Sequence, residues 1–387
     1  MKLGIISDCT HYKTPDGRIG TENHILLRQF EALCSYYAET LICCPFGLYD
    51  SSKVISFYNV GKIMFTPVPK VGGDTLKAKV QLLLTLPKWI KAFKKIDRFS
   101  DVVYQRFPNN LNIPAFFYFR LKTKKSFATY TGTWKNHKGE PATYRFQRYL
   151  LTNFFKGPVW VYAETTLKEA RLHNGFSPSY SSKEWHEETN QVEKRIINIT
   201  KEGIPKFRLI TVGTLIDYKN QLLILKTCVI LKKKQFAFSL TIVGDGPMRK
   251  ELEQFIIDNH LKDEVKMTGK VNAEDLRELY RRHDFAVQAP LFEGFGKVPI
   301  EAFFHGVIPV INNISLANNI IGNEERGFLF DATSEHNLVE VINKISNNIQ
   351  LLPGIIMQGR AYAYTHTLNA WAEEYYKTVN AYFEEET

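Results

Sequence analysis

Cysteine is sparse in this chain, and long apolar runs are missing. The five cysteines, Cys9, Cys34, Cys43, Cys44 and Cys228, form no C-x-x-C pair, and their number is odd. That argues against a disulfide framework and for reduced thiols in a cytosolic setting. No apolar stretch approaches the ~18 residues that suggest a membrane span. Met1 to Ile6 is too short for a secretory leader, because Asp8 interrupts it. No Asp-x-Asp pair occurs, nor any spacing of zinc ligands or paired carboxylates, so no metal and no cofactor is expected. Repeats and low-complexity tracts are also lacking. Acids are scarce in one half only. Residues 1–200 hold 29 lysines and arginines against 16 acids, whereas residues 201–387 hold 21 against 24. A basic first half points to a polyanionic partner or an anionic membrane face. Nucleic acid is not expected, since no recognition motif accompanies the charge.

What is present is the composition of a soluble globular protein, 44% hydrophobic and 23% charged, long enough at 387 residues for two domains with separate cores. Strands are expected at Lys2–Ser7, Thr40–Cys44, Lys62–Thr66, Asp101–Gln105, Lys125–Thr131 and Val159–Ala163. A polar loop is expected at Thr10–Gly20, with Thr21 as N-cap of a helix to about Tyr37. A helix is also expected from Thr165 to His173. Ser177 to about Thr200 has no clear period and fits a connection between domains. From Phe207 strand and helix alternate, with strands at 207–213, 238–243, 264–268, 284–288, 307–311 and 327–330; such alternation gives a helix-covered parallel sheet. Leu368 to Phe383 reads as a final helix with Trp371, Tyr375, Tyr376, Val379 and Phe383 roughly on one side.

Thr75 to Ile96 reads as a helix broken at Pro87. Its lysines, Lys77, Lys79, Lys88, Lys91, Lys94 and Lys95, surround Leu82–Leu84, Leu86, Trp89, Ile90 and Phe93. Two readings stand: a domain helix with one core-facing side, or an interfacial helix with Trp89 among lipid headgroups.

The most informative stretch runs from Leu291 to Ile311. Gly294 and Gly296 bracket Phe295 and allow a tight turn and a close ligand. Pro299 suits the first turn of a helix and Gly306 its C-terminal end. Val307–Ile311 reads as the next parallel strand. Free N–H groups at that helix start would face an anion above the sheet. Seven residues separate Glu293, before the glycine turn, from Glu301, expected in the first helical turn. Glu301 can equally be an acid placed favourably on a helix dipole, and Glu293 a solvated loop acid.

Glu-Gly-Phe-Gly followed by a second Glu after seven residues resembles the Glu-x7-Glu signature of the retaining GT-B glycosyltransferases of family four, also called group 1. Ile210–Asn220, Ile242–Pro247 and Val265–Val271 resemble that family's segments in the same order, over about residues 205 to 375. The resemblance implies an α/β chain of two Rossmann-like domains whose parallel sheets face a central cleft. Residues 1–176 would bind the acceptor and 177–366 the nucleotide-sugar donor, with 367–387 a helix crossing back to the first domain. It implies that Lys219 meets the donor diphosphate, that Glu293 orients the donor sugar and that Glu301 accepts bonds from the ribose hydroxyls. Gly294, Phe295 and Gly296 would hold sugar and phosphates by their amides. Gly213, Thr214, Gly244 and Gly246 would line the nucleotide, and Val271 would border the base. Lys219 can also be a surface lysine at a helix start.

Departures from the family are visible. Thr214 stands where an arginine is usual, with Lys297 or Arg18 as substitute cations. Gly132 stands nearest the place of a common histidine, His137 lying further along. Asn312–Asn319 lacks a usual Gly-Gly pair and acid. In the first domain, Gly20 best fits a glycine that approaches the ligand, or is simply a turn glycine, and Arg106 is expected at an exposed strand end. The implied activity is transfer of a sugar from a UDP- or GDP-sugar to the hydroxyl of a glycan or lipid-linked acceptor. Retention at the anomeric carbon, no metal, and a place in surface polysaccharide or glycoconjugate synthesis are part of that expectation. The missing Asp-x-Asp counts against the manganese-dependent GT-A enzymes. The expected location is cytoplasmic, with peripheral attachment to the inner membrane face as an option. The departures keep a second reading open, a non-catalytic GT-B scaffold that binds nucleotide or glycan.

Overall fold

The computed structural model of the chain describes every residue except 60, 72–75, 135–139, 163–170, 315 and 385–387, and the side chains of 76–80 and 83. It divides into two compact units, Met1–Ser179 with Leu368–Thr387, and Tyr180–Thr367.

The first unit contains β1 (Lys2–Ile6), β2 (His11–Lys13), β3 (Ile19–Thr21), α1 (His24–Cys34), β4 (Glu39–Gly47), β5 (Ser56–Phe57), β6 (Ile63–Val68), α2 (Leu76–Phe99), β7 (Val102–Phe107), α3 (Asn112–Leu121), β8 (Ser126–Tyr130), α4 (Ala142–Asn153), β9 (Val159–Val161) and β10 (Leu172–Asn174). Seven strands pair in parallel in the order β10-β9-β8-β7-β1-β4-β6. The central strands are mostly apolar and buried, as expected of a parallel sheet covered on both faces. Residues 10–21 are not a loop. β2 and β3 form an antiparallel hairpin, and β3 pairs in turn with β5. The polar residues that suggested a loop are satisfied inside it. Buried His11 bonds the Cys9 carbonyl and the Tyr58 hydroxyl, each at 2.9 Å, and burial lowers its pKa to about 4. Thr21 is not the cap of α1. Asn23 is, accepting from the Leu26 amide at 3.0 Å.

Helix α2 runs through Pro87, whose ring is exposed, rather than breaking there. Trp89, Phe93 and Ile96 on its inner side are buried against β1, β4 and β7, and the Trp89 indole donates to the Pro69 carbonyl at 3.2 Å. Trp89 therefore faces protein, which removes it as an interfacial anchor. Lys77 and Lys79 lie among the undescribed side chains. The expected helix at Thr165–His173 falls mostly outside the described residues; His173 itself is in strand β10. Arg106 lies within β7, half-buried, rather than at an exposed end.

The second unit begins with α5 (Ser182–Glu202), where the sequence suggested a connection. Then follow β11 (Phe207–Val212), α6 (Gln221–Lys233), β12 (Phe238–Val243), α7 (Arg249–Asp258), β13 (Val265–Gly269), α8 (Ala273–Arg282), β14 (Phe285–Gln288), α9 (Lys297–Phe304), β15 (Ile308–Asn312), α10 (Ala317–Ile321), β16 (Phe328–Phe330), α11 (Glu335–Ser346) and α12 (Leu352–Tyr364). The parallel sheet has the order β13-β12-β11-β14-β15-β16. The remaining helix, α13 (Leu368–Glu384), belongs to the first unit. Tyr375 stacks on Trp160 at 3.8 Å, and its hydroxyl lies 3.1 Å from that of Thr129.

Helix α5 starts with a reciprocal capping box between Ser181 and Glu184. Its buried positions are Glu188, Val192 and Ile199, so an acid interrupts the apolar stripe. Glu188 accepts bonds from Arg281 of α8 at 2.5 and 2.9 Å and lies 3.0 Å from His305 Nδ1, just past α9. Burial works to raise the Glu188 carboxyl, but the bonds from Arg281 and His305 outweigh it and bring it from 4.5 to about 2. Burial lowers His305 below its ordinary 6.5 despite the adjacent carboxylate. The sign is the same for both groups: on acidification the unfolded chain takes up protons that the folded chain refuses. Stability of the second unit should therefore fall as pH drops, first through His305 below 6.5 and then through Glu188 between 4.5 and 2. The Glu188 part should be on the order of 2–3 kcal/mol. Urea unfolding followed across this range should show the loss, and Arg281→Gln should lower neutral-pH stability and flatten the lower part. A variant with the wild-type profile would contradict the assignment.

Candidate functional site

Strand order sets where a ligand can collect. From β11 the chain moves outward to β12 and β13, then returns to the other side of β11 for β14, β15 and β16. The loops leaving β11 and β14 diverge, and in open α/β sheets the crevice at that reversal receives ligands. Lys219 is on the first loop and Glu293 on the second.

These two loops are joined face to face. Lys219 closes a single 3-10 turn, Asp217–Lys219, and its ammonium pairs with the Glu293 carboxylate. Tyr218 and Phe292, each one residue earlier, stack at 4.5 Å and 19°. The Leu291 amide donates to the Tyr218 carbonyl at 2.8 Å. Ring lies on ring, charge on charge. Both charged side chains are half-buried, 19% and 30% exposed, so solvent screens their attraction less than at an open surface.

After Glu293 the chain turns at Gly294 and Gly296, the latter at φ +66, and enters α9 at Lys297. Phe295 between them is buried, its ring parallel to that of His366 at 6.1 Å. Burial lowers His366 to about 4, with a bond to the Tyr362 carbonyl opposing it, so the imidazole is neutral. Glu301 is the fifth residue of α9 and thus lies in its second turn, one residue beyond the expectation. It is only 8% exposed, and its carboxylate accepts from the Tyr280 hydroxyl at 3.2 Å. Burial, then the neighbouring carboxylate, holds the Tyr280 phenol protonated and hence a donor. The Tyr280 ring lies parallel to that of His305 at 5.3 Å. The acid at the site is thereby backed by the Glu188–Arg281–His305 cluster.

The glycines after β11 and β12 have a different cause from close ligand approach alone. Gly244 has φ +137, and a Cβ there would lie 1.9 Å from the Gly213 carbonyl oxygen. A Cβ on Gly246 would lie 2.4 Å from that of Leu215. The two loops thus rest backbone against backbone, with the Leu215 amide donating to Asp245 at 3.1 Å. Thr214 is exposed, its carbonyl accepting from Gln221 at 3.2 Å. Val271, beyond β13, packs half-buried on the cluster containing Tyr280 and Ala302. Asn312 ends β15. It donates to the Pro290 carbonyl at 2.7 Å and accepts from the Ala332 amide at 3.0 Å, which fixes the start of the Glu293 loop.

The four first-unit candidates are spread over the β2–β3 hairpin, β7 and the segment after β8, with β7 and β8 neighbouring strands. Gly20 lies in β3, where a Cβ would strike the Ser56 carbonyl oxygen at 2.2 Å; it admits the β5 backbone and is not a turn residue. Arg18 is in the same hairpin, bonded to Asp16 at 2.7 Å and lying over the Phe57 ring at 4.4 Å. Arg106 reaches the Gln29 side chain at 3.4 Å. Gly132, after β8, packs against the Tyr130 ring. Sequence reasoning passed over Tyr218, Phe292, Tyr280, Asn312 and His366. An aromatic directly before each partner of the ion pair was the available signal for the first two.

Comparison with known proteins bears on the same region. Residues 193–360 match the family model of glycosyl transferases, group 1. The GPI3 subunit of phosphatidylinositol N-acetylglucosaminyltransferase from Saccharomyces cerevisiae is 25% identical over 150 residues, 39% of this chain and 33% of that protein. The chain thus spans about a third of the length of that relative. Protein CapJ of Staphylococcus aureus is 24% identical over 308 residues, 76% of this chain and 74% of CapJ. Among solved structures, Anabaena HepE in complex with UDP and glucose superposes with a TM-score of 0.71 at 14% identity, covering 98% of this chain and 99% of HepE. Sheet order, glycine loops and family match agree: residues 193–360 are similar to the group 1 glycosyl transferases, and the chain has a GT-B fold.

Proposed function

We propose that the chain transfers a sugar from a nucleotide-sugar donor, a UDP-sugar in preference to a GDP-sugar, to a hydroxyl of a glycan or lipid-linked acceptor. The observation that carries this reading is the Lys219–Glu293 pair at the strand-order reversal, next to the start of α9. The UDP held by the similarly folded HepE supports the choice of nucleotide.

In this mechanism the donor diphosphate takes over the Lys219 ammonium from Glu293. The freed carboxylate accepts a hydroxyl of the donor sugar and orients the ring. As the anomeric bond breaks, the leaving diphosphate gains charge, which Lys219 and the amides at the start of α9 stabilise. Lys297, the first residue of α9, adds a second cation where Thr214 supplies none. Glu301 accepts from the ribose hydroxyls, held in place by Tyr280. Leaving-phosphate oxygen and acceptor hydroxyl lie on one face of the sugar, so the phosphate takes the acceptor's proton and configuration is retained. Gly213, Gly244, Gly246 and Val271 border the nucleotide, and residues 1–176 hold the acceptor. Product entry into a surface polysaccharide or another glycoconjugate, and peripheral residence at an anionic membrane face, complete the reading. A relative named for a phosphatidylinositol acceptor supports a lipid-linked substrate.

Glu301→Gln should weaken UDP binding tenfold to a hundredfold, since a charge-assisted bond contributes roughly 1.5–3 kcal/mol. Calorimetry showing wild-type affinity in a folded variant would remove Glu301 from the site. Donor hydrolysis without acceptor distinguishes an enzyme from a binding scaffold: UDP binding with no turnover of UDP- or GDP-sugars, with or without acceptors, would favour the scaffold. Treatment with EDTA should leave transfer unchanged, because a lysine and helix amides neutralise the phosphate in this mechanism. Activity lost to chelation and restored by manganese or magnesium would contradict it.

A further inference from the structure

The carboxyl edge of the first unit's sheet carries a groove that the donor chemistry does not use. It has a volume of about 470 Å³, with Phe46, Thr66 and Pro69 of the β4 and β6 ends on one side. Lys88, Lys91 and Lys95 of α2 form the other side. Helical spacing brings these three onto one stripe. All three are exposed, and among the described residues no acid lines the groove. The nearby acid of the same helix, Asp97, is directed to Tyr118 and Lys124. Lys94 is equally exposed on α2 but lies outside the groove.

A second pocket of about 460 Å³ adjoins it, Pro69 lining both. Its polar lining is Asp8, at the end of β1, with Lys70 and Asn110. Among the described residues the charged groups of one recess are therefore all cations, and its neighbour offers a carboxylate, an amide and a further cation. A solvated lysine face needs no such recess. Three like charges around one concavity repel each other, and an oxyanion of charge two or more relieves that repulsion. A carboxylate beside an amide suits vicinal hydroxyls, which both donate and accept.

We propose that this edge recognises a phosphate-bearing acceptor: Lys88, Lys91 and Lys95 hold its phosphate or diphosphate, and Asp8, Lys70 and Asn110 hold the hydroxyls of its sugar. This rests on the reading of residues 1–176 as the acceptor domain and deepens it, giving the acceptor's chemical class. Trp89, which sequence alone allowed as a lipid anchor, is buried and contributes to the wall of the second pocket instead.

The test uses the full chain with two probes, inorganic pyrophosphate and vesicles of phosphatidylcholine with phosphatidylglycerol, at low salt. Replacing Lys88, Lys91 and Lys95 together by Gln should weaken pyrophosphate binding on the order of a hundredfold, about fivefold per lysine. Lys94→Gln, with the same charge change on the same helix, should alter it less than twofold, and Lys91→Glu alone should weaken it strongly. If vesicles bind through the same lysines and pyrophosphate displaces the protein from them, the phosphate is a lipid headgroup or lipid-linked diphosphate. If only pyrophosphate binds, it is a soluble glycosyl phosphate. Equal affinity of the triple variant and wild type, or an effect of Lys94→Gln as large as that of the triple variant, would overturn the proposal. UDP titration runs in parallel. The triple variant should keep wild-type UDP affinity, and a wild type that binds no UDP would defeat the donor reading while the lysine comparison is judged separately.

Discussion

The second unit is organised by one pairing, that of β11 with β14, in register at Leu209 with Phe285 and Ile210 with Ala286. Were β14 to continue outward beyond β13, the loops after β11 and β14 would lie far apart. Because it returns to β11, residues 74 positions apart in sequence meet as an ion pair. The glycine contacts between the β11 and β12 loops then close the other side. Backbone hydrogen bonding between parallel strands thus decides which side chains share a crevice, and the chemistry follows from that adjacency.

Strands of the second unit were legible in the sequence because a sheet buried on both faces needs continuous apolar runs. Those runs were found within one residue of their observed ends, β12 at Phe238–Val243 among them. The Gly294–Glu301 segment was legible for the same reason, since glycine turn, proline and acid each constrain the backbone locally. Glu301 fell one residue outside the first turn because a proline fits several early helix positions. Helix α5 was not legible. Its inward side includes a buried glutamate whose partners, Arg281 and His305, are about a hundred residues away, so hydrophobic periodicity could not register it. The β2–β3 hairpin was hidden likewise, its polar residues satisfied by Tyr58 and the Cys9 carbonyl, which local composition does not reveal.

Glycine was read least well. Gly20, Gly244 and Gly246 all looked like places for a ligand to come near a backbone. In each case the nearest thing to the missing Cβ is another stretch of this chain, at 2.2, 1.9 and 2.4 Å. The need for glycine is real at all three, and the object that requires it is the protein itself. Substituting any of them would disturb loop packing before it touched a ligand, so a loss of activity there would say little about donor contact.

Helix α13 has a consequence for how the molecule is made. Trp371 and Tyr375 fill the first unit's interior beside Trp160 and Tyr104, yet they leave the ribosome after all of residues 180–367. The half synthesised first is therefore the half completed last. Until then an aromatic slot along β7, β8 and β9 stands open to solvent while a whole domain is translated. The apolar surface left uncovered longest during synthesis therefore belongs to the earlier unit, and transiently exposed surface of that kind is what makes partly folded chains prone to aggregate.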